Sequence, residues 1–203
     1  TIVLASIIAL FQDNLKKRLA YSTISQLGYI SLGALLLNEQ GAIGASLHIF
    51  NHALMKMTLF FCAGTIYIIT HKKNISEMAG IGKKMPWTMG AFAIASLGMV
   101  GIPPSVGFNS KWPLLLGSFN QGSILIMGLL LLSALLNAGY FFPIVITAFF
   151  KEPINEFEEH DGRFEAPISM LAPVLILAGA TIVFGIWYQF PTSVVELFVN
   201  NIF

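Results

Sequence analysis

The sequence predicts an all-α membrane protein, a polytopic bundle of transmembrane helices in which one Pro/Gly-rich segment is discontinuous. Three observations predict this. Of 203 residues, 56% are hydrophobic and only 10% charged, with mean hydropathy +0.76, whereas soluble domains carry about 25% charged residues. The apolar residues fall into runs of about one bilayer span separated by short polar turns. The 17 Phe and 18 Gly suit helices that pack in lipid, where small residues let backbones approach closely. A net charge of +1 gives no sign of a nucleic-acid partner, so the expected surroundings are the lipid bilayer and other hydrophobic subunits. The lone Cys62 excludes a disulfide framework within the chain and reads as a small packing residue.

Residues 1–11, TIVLASIIALF, are too short to span and lack the basic region and cleavage site of a signal peptide. The chain, which opens on Thr1, therefore reads as a fragment starting part-way through a helix. Lys16, Lys17 and Arg18 mark a membrane boundary, after which 19–37 has the length of one span. This segment carries Ser22, Thr23, Ser25 and Gln26 in its first half, residues that bond neighbouring helices or hold water. Residues 41–70 form a third segment, longer than a span needs, so it tilts, bends or projects. A basic loop with Lys72, Lys73, Lys83 and Lys84 follows, and Trp87 opens the span 87–102 as an interfacial anchor.

The stretch GIPPSVGFNSKWPLLLGSFNQG cannot form one undisturbed helix, because Pro103, Pro104 and Pro113 each remove a backbone donor. It predicts a broken segment over 105–120, containing Lys111, in a position where protein or a water-lined cavity satisfies the freed backbone groups. A surface loop with an ordinary lysine is the alternative, disfavoured by its apolar flanks. The span 123–150 follows, with Asn137, Tyr140 and a kinking Pro143, then an acidic connector expected to be solvated. The span 166–188 and an interfacial tail, 189–203, complete the chain. The preferred reading has the broken stretch cross the membrane, so that the basic loops face one side, expected to be cytoplasmic, and the acidic connector faces the other; a re-entrant stretch would instead put the connector on the basic side. The chain as a whole is expected to be a multi-pass protein of the inner (plasma) membrane.

Within this frame, LHIFNHALMKMTLF places His48, His52 and Lys56 four residues apart, on one helical face with about 6 Å between successive residues. An ionisable residue at mid-bilayer costs roughly 2.5 to 3.5 kcal/mol and normally has a partner or a task. Lys56 and Lys111 are the two cationic residues inside the spans, and every Asp and Glu lies outside them. The structural alternative is a set of neutral imidazoles that only fix packing, with a lysine that snorkels. A metal site is disfavoured, since two histidines four apart need further ligands.

Desolvation and like-charge neighbours favour the neutral form of a lysine, so an intramembrane lysine can exchange a proton near neutral pH. Histidine passes a proton between its two ring nitrogens. The expectation is proton translocation with Lys56 and Lys111 as loading sites and His48 and His52 as relays, aided by Ser22, Ser25, Asn137 and Tyr140. No redox cofactor is expected, because iron–sulfur clusters need several cysteines and no nucleotide-binding glycine pattern follows a strand.

The segments RLAYSTISQLGY, HIFNHALMKMTLFFCAG, MAGIGKKMPWTMGAFAIASLGMVGIPPSVGFNSKWPL and LNAGYFF resemble the antiporter-like membrane subunits. These are shared by multisubunit Mrp-type cation/proton antiporters and the proton-pumping arm of respiratory complex I. RLAYSTIS, KMPWTMGAF and GFNSKWPL look closer to the D-type polypeptides of the Mrp antiporters than to their quinone-reductase counterparts. The resemblance implies an inverted-repeat fold of which this chain is one half, the second repeat plus the following helix. It implies that Lys56, His48 and His52 correspond to the family's HxxxHxxxK residues and Lys111 to the charged residue of the second broken helix. It also implies protons, with Na⁺ left open, as the ions carried. The first repeat would lie upstream of Thr1. A redox-driven NADH:quinone oxidoreductase or membrane-bound hydrogenase is the alternative setting; a structural scaffold and a substrate-binding transporter are readings from other classes.

Overall fold

The computed structural model describes residues 1–152 and 165–201. They form α1 (Ile2–Leu10), α2 (Leu15–Leu35), α3 (Glu39–Thr70), a 3-10 turn (Ile75–Met78), α4 (Ile81–Lys84), α5 (Pro86–Val100), α6 (Val106–Asn120), α7 (Ile124–Phe150), α8 (Ile168–Ile186) and α9 (Gln189–Val199). Three of these, α3, α7 and α8, are long and apolar enough to cross a membrane alone.

The central element is α3, whose 32 residues give a rod about 48 Å long. It starts where Asn38 Oδ1 accepts the Gly41 N–H at 2.8 Å. It stops at His71, whose left-handed backbone (φ 55°) turns the chain away. Helices α2, α5, α6, α8 and α9 pack along it. Close approach to α2 depends on glycine: a Cβ at Gly33 or Gly41 would meet the facing helix's backbone.

Helix α2 begins at Leu15, four residues before the expected boundary. Asn14 Oδ1 caps it by accepting the Lys17 N–H at 3.1 Å, which draws Lys16, Lys17 and Arg18 into its first turn. Buried Arg18 then reaches back, donating to the carbonyls of Leu10 (3.2 Å) at the end of α1 and Gln12 (2.7 Å) just past it, and to Tyr140 O of α7 (3.0 Å).

The expected break within 105–120 lies instead just before it. Residues 106–120 form one helix that accommodates Pro113, while the chain breaks at 101–105. Gly101 (φ +94°) ends α5, and Pro103 and Pro104, joined by a cis peptide, cannot extend it. Gly107 then sits against the Gly98 carbonyl so closely that a Cβ would collide with it. Helices α5 and α6, 15 residues each, thus lie end to end along one α3 and make a single crossing in two halves.

That arrangement corrects the expected topology. The start of α5 lies beside Cys62, near the end of α3, and the end of α6 is tied to the α2–α3 turn through Asn38 Nδ2 to Gly117 O at 3.0 Å and Gln121 Nε2 to Leu36 O. Helix α7 therefore runs back toward the basic loops, where Gly80 N donates to Thr147 O at 3.2 Å and Gly82 packs on Phe149. The described ends of the acidic connector join the basic loops at one end of the bundle; the remainder, 153–164, lies outside the described residues. Glu165 is a cap rather than a solvated charge: Oε2 accepts from Trp87 N (2.9 Å) and Oε1 from Thr88 Oγ1 (2.6 Å) at the start of α5. The tail forms α9, whose Val199 packs with Ile43 and Leu47 of α3.

Candidate functional site

Halfway along the bundle, α2, α3, α5, α6 and α7 converge on the face of α3 that carries the two histidines and the lysine. His48 is fully buried, and His52 and Lys56 are 7% and 6% exposed. Their rings stack: Tyr29 of α2 lies 5.4 Å from His48, and His48 lies 5.9 Å from His52, at interplanar angles of 24° and 17°.

His48 is anchored at both nitrogens. Nε2 lies 2.9 Å from Gln26 Oε1 on α2 and Nδ1 lies 2.9 Å from Ser110 Oγ on α6. An amide oxygen only accepts, so Nε2 carries hydrogen in this arrangement, while the Ser110 hydroxyl can donate to Nδ1. Ser110 Oγ also lies 3.2 Å from Gly107 O. Were Nδ1 protonated as well, rotation of one hydroxyl toward Gly107 would let Ser110 accept from it. The ring can change protonation state without moving a heavy atom.

The two lysines are held by carbonyl oxygens; among the described residues neither meets a carboxylate. Lys56 Nζ donates to Leu19 O at 2.9 Å and lies 5.7 Å from the Phe141 ring centroid. Lys111 Nζ donates to Met99 O (2.6 Å) and Val100 O (3.1 Å), the carbonyls that the break leaves free at the C-terminal end of α5. That end carries the negative pole of the helix dipole, a natural seat for an ammonium. Lys111 Nζ is also 5.2 Å from the Tyr29 ring centroid, which links it to the histidine stack. Beside it an apolar cleft of about 210 Å³, bordered by Phe108, Trp112 and Leu130, opens between α6 and α7.

The polar network continues into α7. Asn137 Nδ2 donates to Met99 O at 3.3 Å, the same oxygen that binds Lys111. The Tyr140 hydroxyl lies 2.9 Å from Ser22 Oγ and bonds Asn137 Oδ1. Ser22, Asn137 and Tyr140 thus join Lys111 in one connected system. Ser25 turns elsewhere: its hydroxyl bonds Ile2 O and Ser6 Oγ, both at 2.8 Å, and ties α2 to α1.

Sequence reasoning left Gln26, Tyr29 and Ser110 out of the site. Their signal was spacing: Ser22, Gln26 and Tyr29 stand at i, i+4 and i+7 on one face of α2. Gln26 Nε2, Tyr29 Oη, His52 Nδ1 and Ser133 Oγ are buried with no hydrogen-bond partner among the described residues. Buried polar atoms of this kind are normally satisfied by ordered water.

A model of the family described as NADH:quinone oxidoreductase/Mrp antiporter, TM, matches residues 1–137. The chain is 42% identical over 197 residues to NADH-quinone oxidoreductase subunit N of Desulforudis audaxviator (strain MP104C), covering 93% of this chain and 39% of that protein. It therefore spans about two fifths of the length of that relative. Its fold is similar to a chain in the structure of the Mrp complex from Dietzia sp. DQ12-45-1b, with a TM-score of 0.91, 20% identity, and coverage of 99% of this chain and 45% of that one. It is likewise similar to a chain of respiratory complex I from Thermus thermophilus with bound NADH (TM-score 0.80, 23% identity, 97% and 41% covered). With the family match extending over two thirds of its length, this chain belongs to the multi-pass membrane proteins of the NADH:quinone oxidoreductase/Mrp antiporter family.

Proposed function

We propose that the chain moves protons across the membrane as part of a multisubunit assembly, along the axis Lys56, His52, His48 and Lys111. The observation that carries this reading is a line of exchangeable groups at mid-bundle. Lys111 touches the Tyr29 ring, Tyr29 stacks on His48, and His48 stacks on His52, in steps of 5.2 to 5.9 Å. Gln26 Nε2, Tyr29 Oη, His52 Nδ1 and Ser133 Oγ, buried and unpartnered among the described residues, are the donors and acceptors that bridging waters along this line would use. Lys56 and Lys111, without carboxylate partners among the described residues, are the loading sites, and His48 takes up a proton at Nδ1 when the Ser110 hydroxyl turns to Gly107, and returns it from the same nitrogen. Ser22, Asn137 and Tyr140 extend the wire into α7.

The assembly is read in two ways. Membership of a cation/proton antiporter matches the fold seen in the Mrp complex, with Na⁺ as the exchanged cation. Membership of a redox-driven NADH:quinone oxidoreductase is favoured by the 42% identity to a subunit N. The deciding experiment uses the full-length protein in its native assembly, reconstituted in vesicles. Proton flux driven by a Na⁺ gradient, and separately by NADH oxidation, is compared between wild type and the Lys56→Ala and Lys111→Ala variants. Loss of flux with assembly intact supports the relay, and the driving force that works identifies the assembly. Unchanged flux in both variants makes the axis a packing feature.

A further inference from the structure

We infer that a basic cleft between the start of α2 and the end of α3 binds the phosphate headgroup of an anionic phospholipid. The cleft, about 270 Å³, lies at the end of the bundle where the lysine-rich loops gather. Lys16 Nζ and Lys73 Nζ stand 4.9 and 5.1 Å from the centroid of the Tyr67 ring, and Lys72 lines the same cleft. His71 packs edge-on against Tyr67 at 6.0 Å.

The walls are tied together before any ligand arrives. Leu15 N donates to Lys73 O at 3.0 Å and Ile75 N to Asp13 O at 2.8 Å, so Asn14 and Asn74 pair as an antiparallel bridge across the rim. Two acids stand at the rim, held by neutral donors. Glu77 accepts from Lys73 N (3.3 Å), Asn74 N (3.0 Å) and Asn74 Nδ2 (3.3 Å), and Asp13 accepts from Ser76 N (3.1 Å) and Ser76 Oγ (2.6 Å). Glu77 also acts on Lys72. Among the described residues Lys16, Lys72 and Lys73 stand against Glu77 and Asp13, which leaves the cleft cationic by one charge, and the positive pole of the 21-residue α2 starts at Asn14 on its wall.

The floor argues for a lipid rather than a soluble anion. Leu15, Ala63 and Met78 are buried apolar residues beneath the lysines. From there the outer face of α3 runs toward mid-membrane through Gly64, with open space where a Cβ would be, to Phe60 and Phe61, which are exposed. A headgroup seated among the lysines would lay an acyl chain along that furrow. Basic pockets between helices at a membrane boundary have this chemistry.

The test uses the complete assembly, stripped of lipid in neutral detergent, with retention of added phosphatidylglycerol measured by native mass spectrometry. Each lysine near an anionic surface contributes about fivefold, so Lys16→Gln with Lys73→Gln is expected to weaken retention about 25-fold. Lys83→Gln with Lys84→Gln, at the same end but outside the cleft, should leave it nearly unchanged. Gly64→Leu keeps every charge and fills the furrow, and is expected to release the lipid with assembly intact, which keeps the test decisive if the lysine pair fails to assemble. Equal retention by wild type and both cleft variants overturns the inference. Equal loss in the Lys83/Lys84 pair overturns it in favour of diffuse surface charge. Displacement of the lipid by inorganic phosphate at equal concentration overturns it in favour of a soluble anion.

Discussion

Ser110→Ala isolates the relay at His48. The substitution removes one oxygen from a fully buried site, so packing changes little, but it deletes the partner of Nδ1 at 2.9 Å while leaving Gln26 on Nε2. If His48 becomes charged during transport, the imidazolium needs acceptors on both nitrogens, and a hydrogen bond to a charged group contributes about 1.5 to 3 kcal/mol. The neutral ring loses its bond from Ser110 too, worth about 0.5 to 1.5 kcal/mol, so the difference of about 1 to 1.5 kcal/mol slows flux by roughly 5- to 13-fold. The assay is proton flux in vesicles of matched assembly, followed with a pH-sensitive dye, beside Ser96→Ala as control. Ser96 Oγ is buried without a partner among the described residues, so its removal leaves none of their groups newly unpaired. Flux within twofold of wild type for Ser110→Ala, with assembly intact, would refute the relay at His48 and leave the ring a neutral packing element.

Three further outcomes are expected. Gly107→Ala drives a methyl into the Gly98 carbonyl and must part α5 from α6, destabilising the protein by about 1 to 3 kcal/mol and lowering the thermal unfolding midpoint of the assembly; an unchanged midpoint would show that the two half-helices are not held at this contact. Arg18→Met strands the carbonyls of Leu10, Gln12 and Tyr140 and lowers assembly yield, whereas Arg18→Lys, which restores at least one bond, lowers it less; equal yields would sink the idea that Arg18 clamps α1 and α2 to α7. The backbone N–H groups of Asn74 and Lys73 hold the exposed Glu77 carboxylate below its ordinary range. Its contribution is therefore complete above the ordinary glutamate value, about 4.3, and is lost as pH falls through the lower folded value. Glu77→Gln should cost under about 1 kcal/mol at pH 7, given its exposure, with the difference from wild type vanishing in acid; a difference that persists there would mean the charge is not responsible.

The alternation of apolar runs and polar turns determined the fold class, a bundle of helices long enough to cross a bilayer, because the bilayer length and the helical rise leave little freedom. The 3.6-residue period likewise decided that His48, His52 and Lys56 share a face, since that is a property of one helix alone. GIPP announced a break, and Gly101, Pro103 and Pro104 make it, but the sequence did not reveal that the halves on either side stack into one crossing. That follows from Gly107 seating on the Gly98 carbonyl, a contact between two helices, and it reversed the expected side of the acidic connector. Tertiary structure alone supplied the partners of the axis: Gln26 from α2, Ser110 from α6, and for Lys111 the carbonyl oxygens of Met99 and Val100. Backbone carbonyls belong to every residue and leave no mark in a sequence. Which of them sit across from a lysine is decided only when the helices pack.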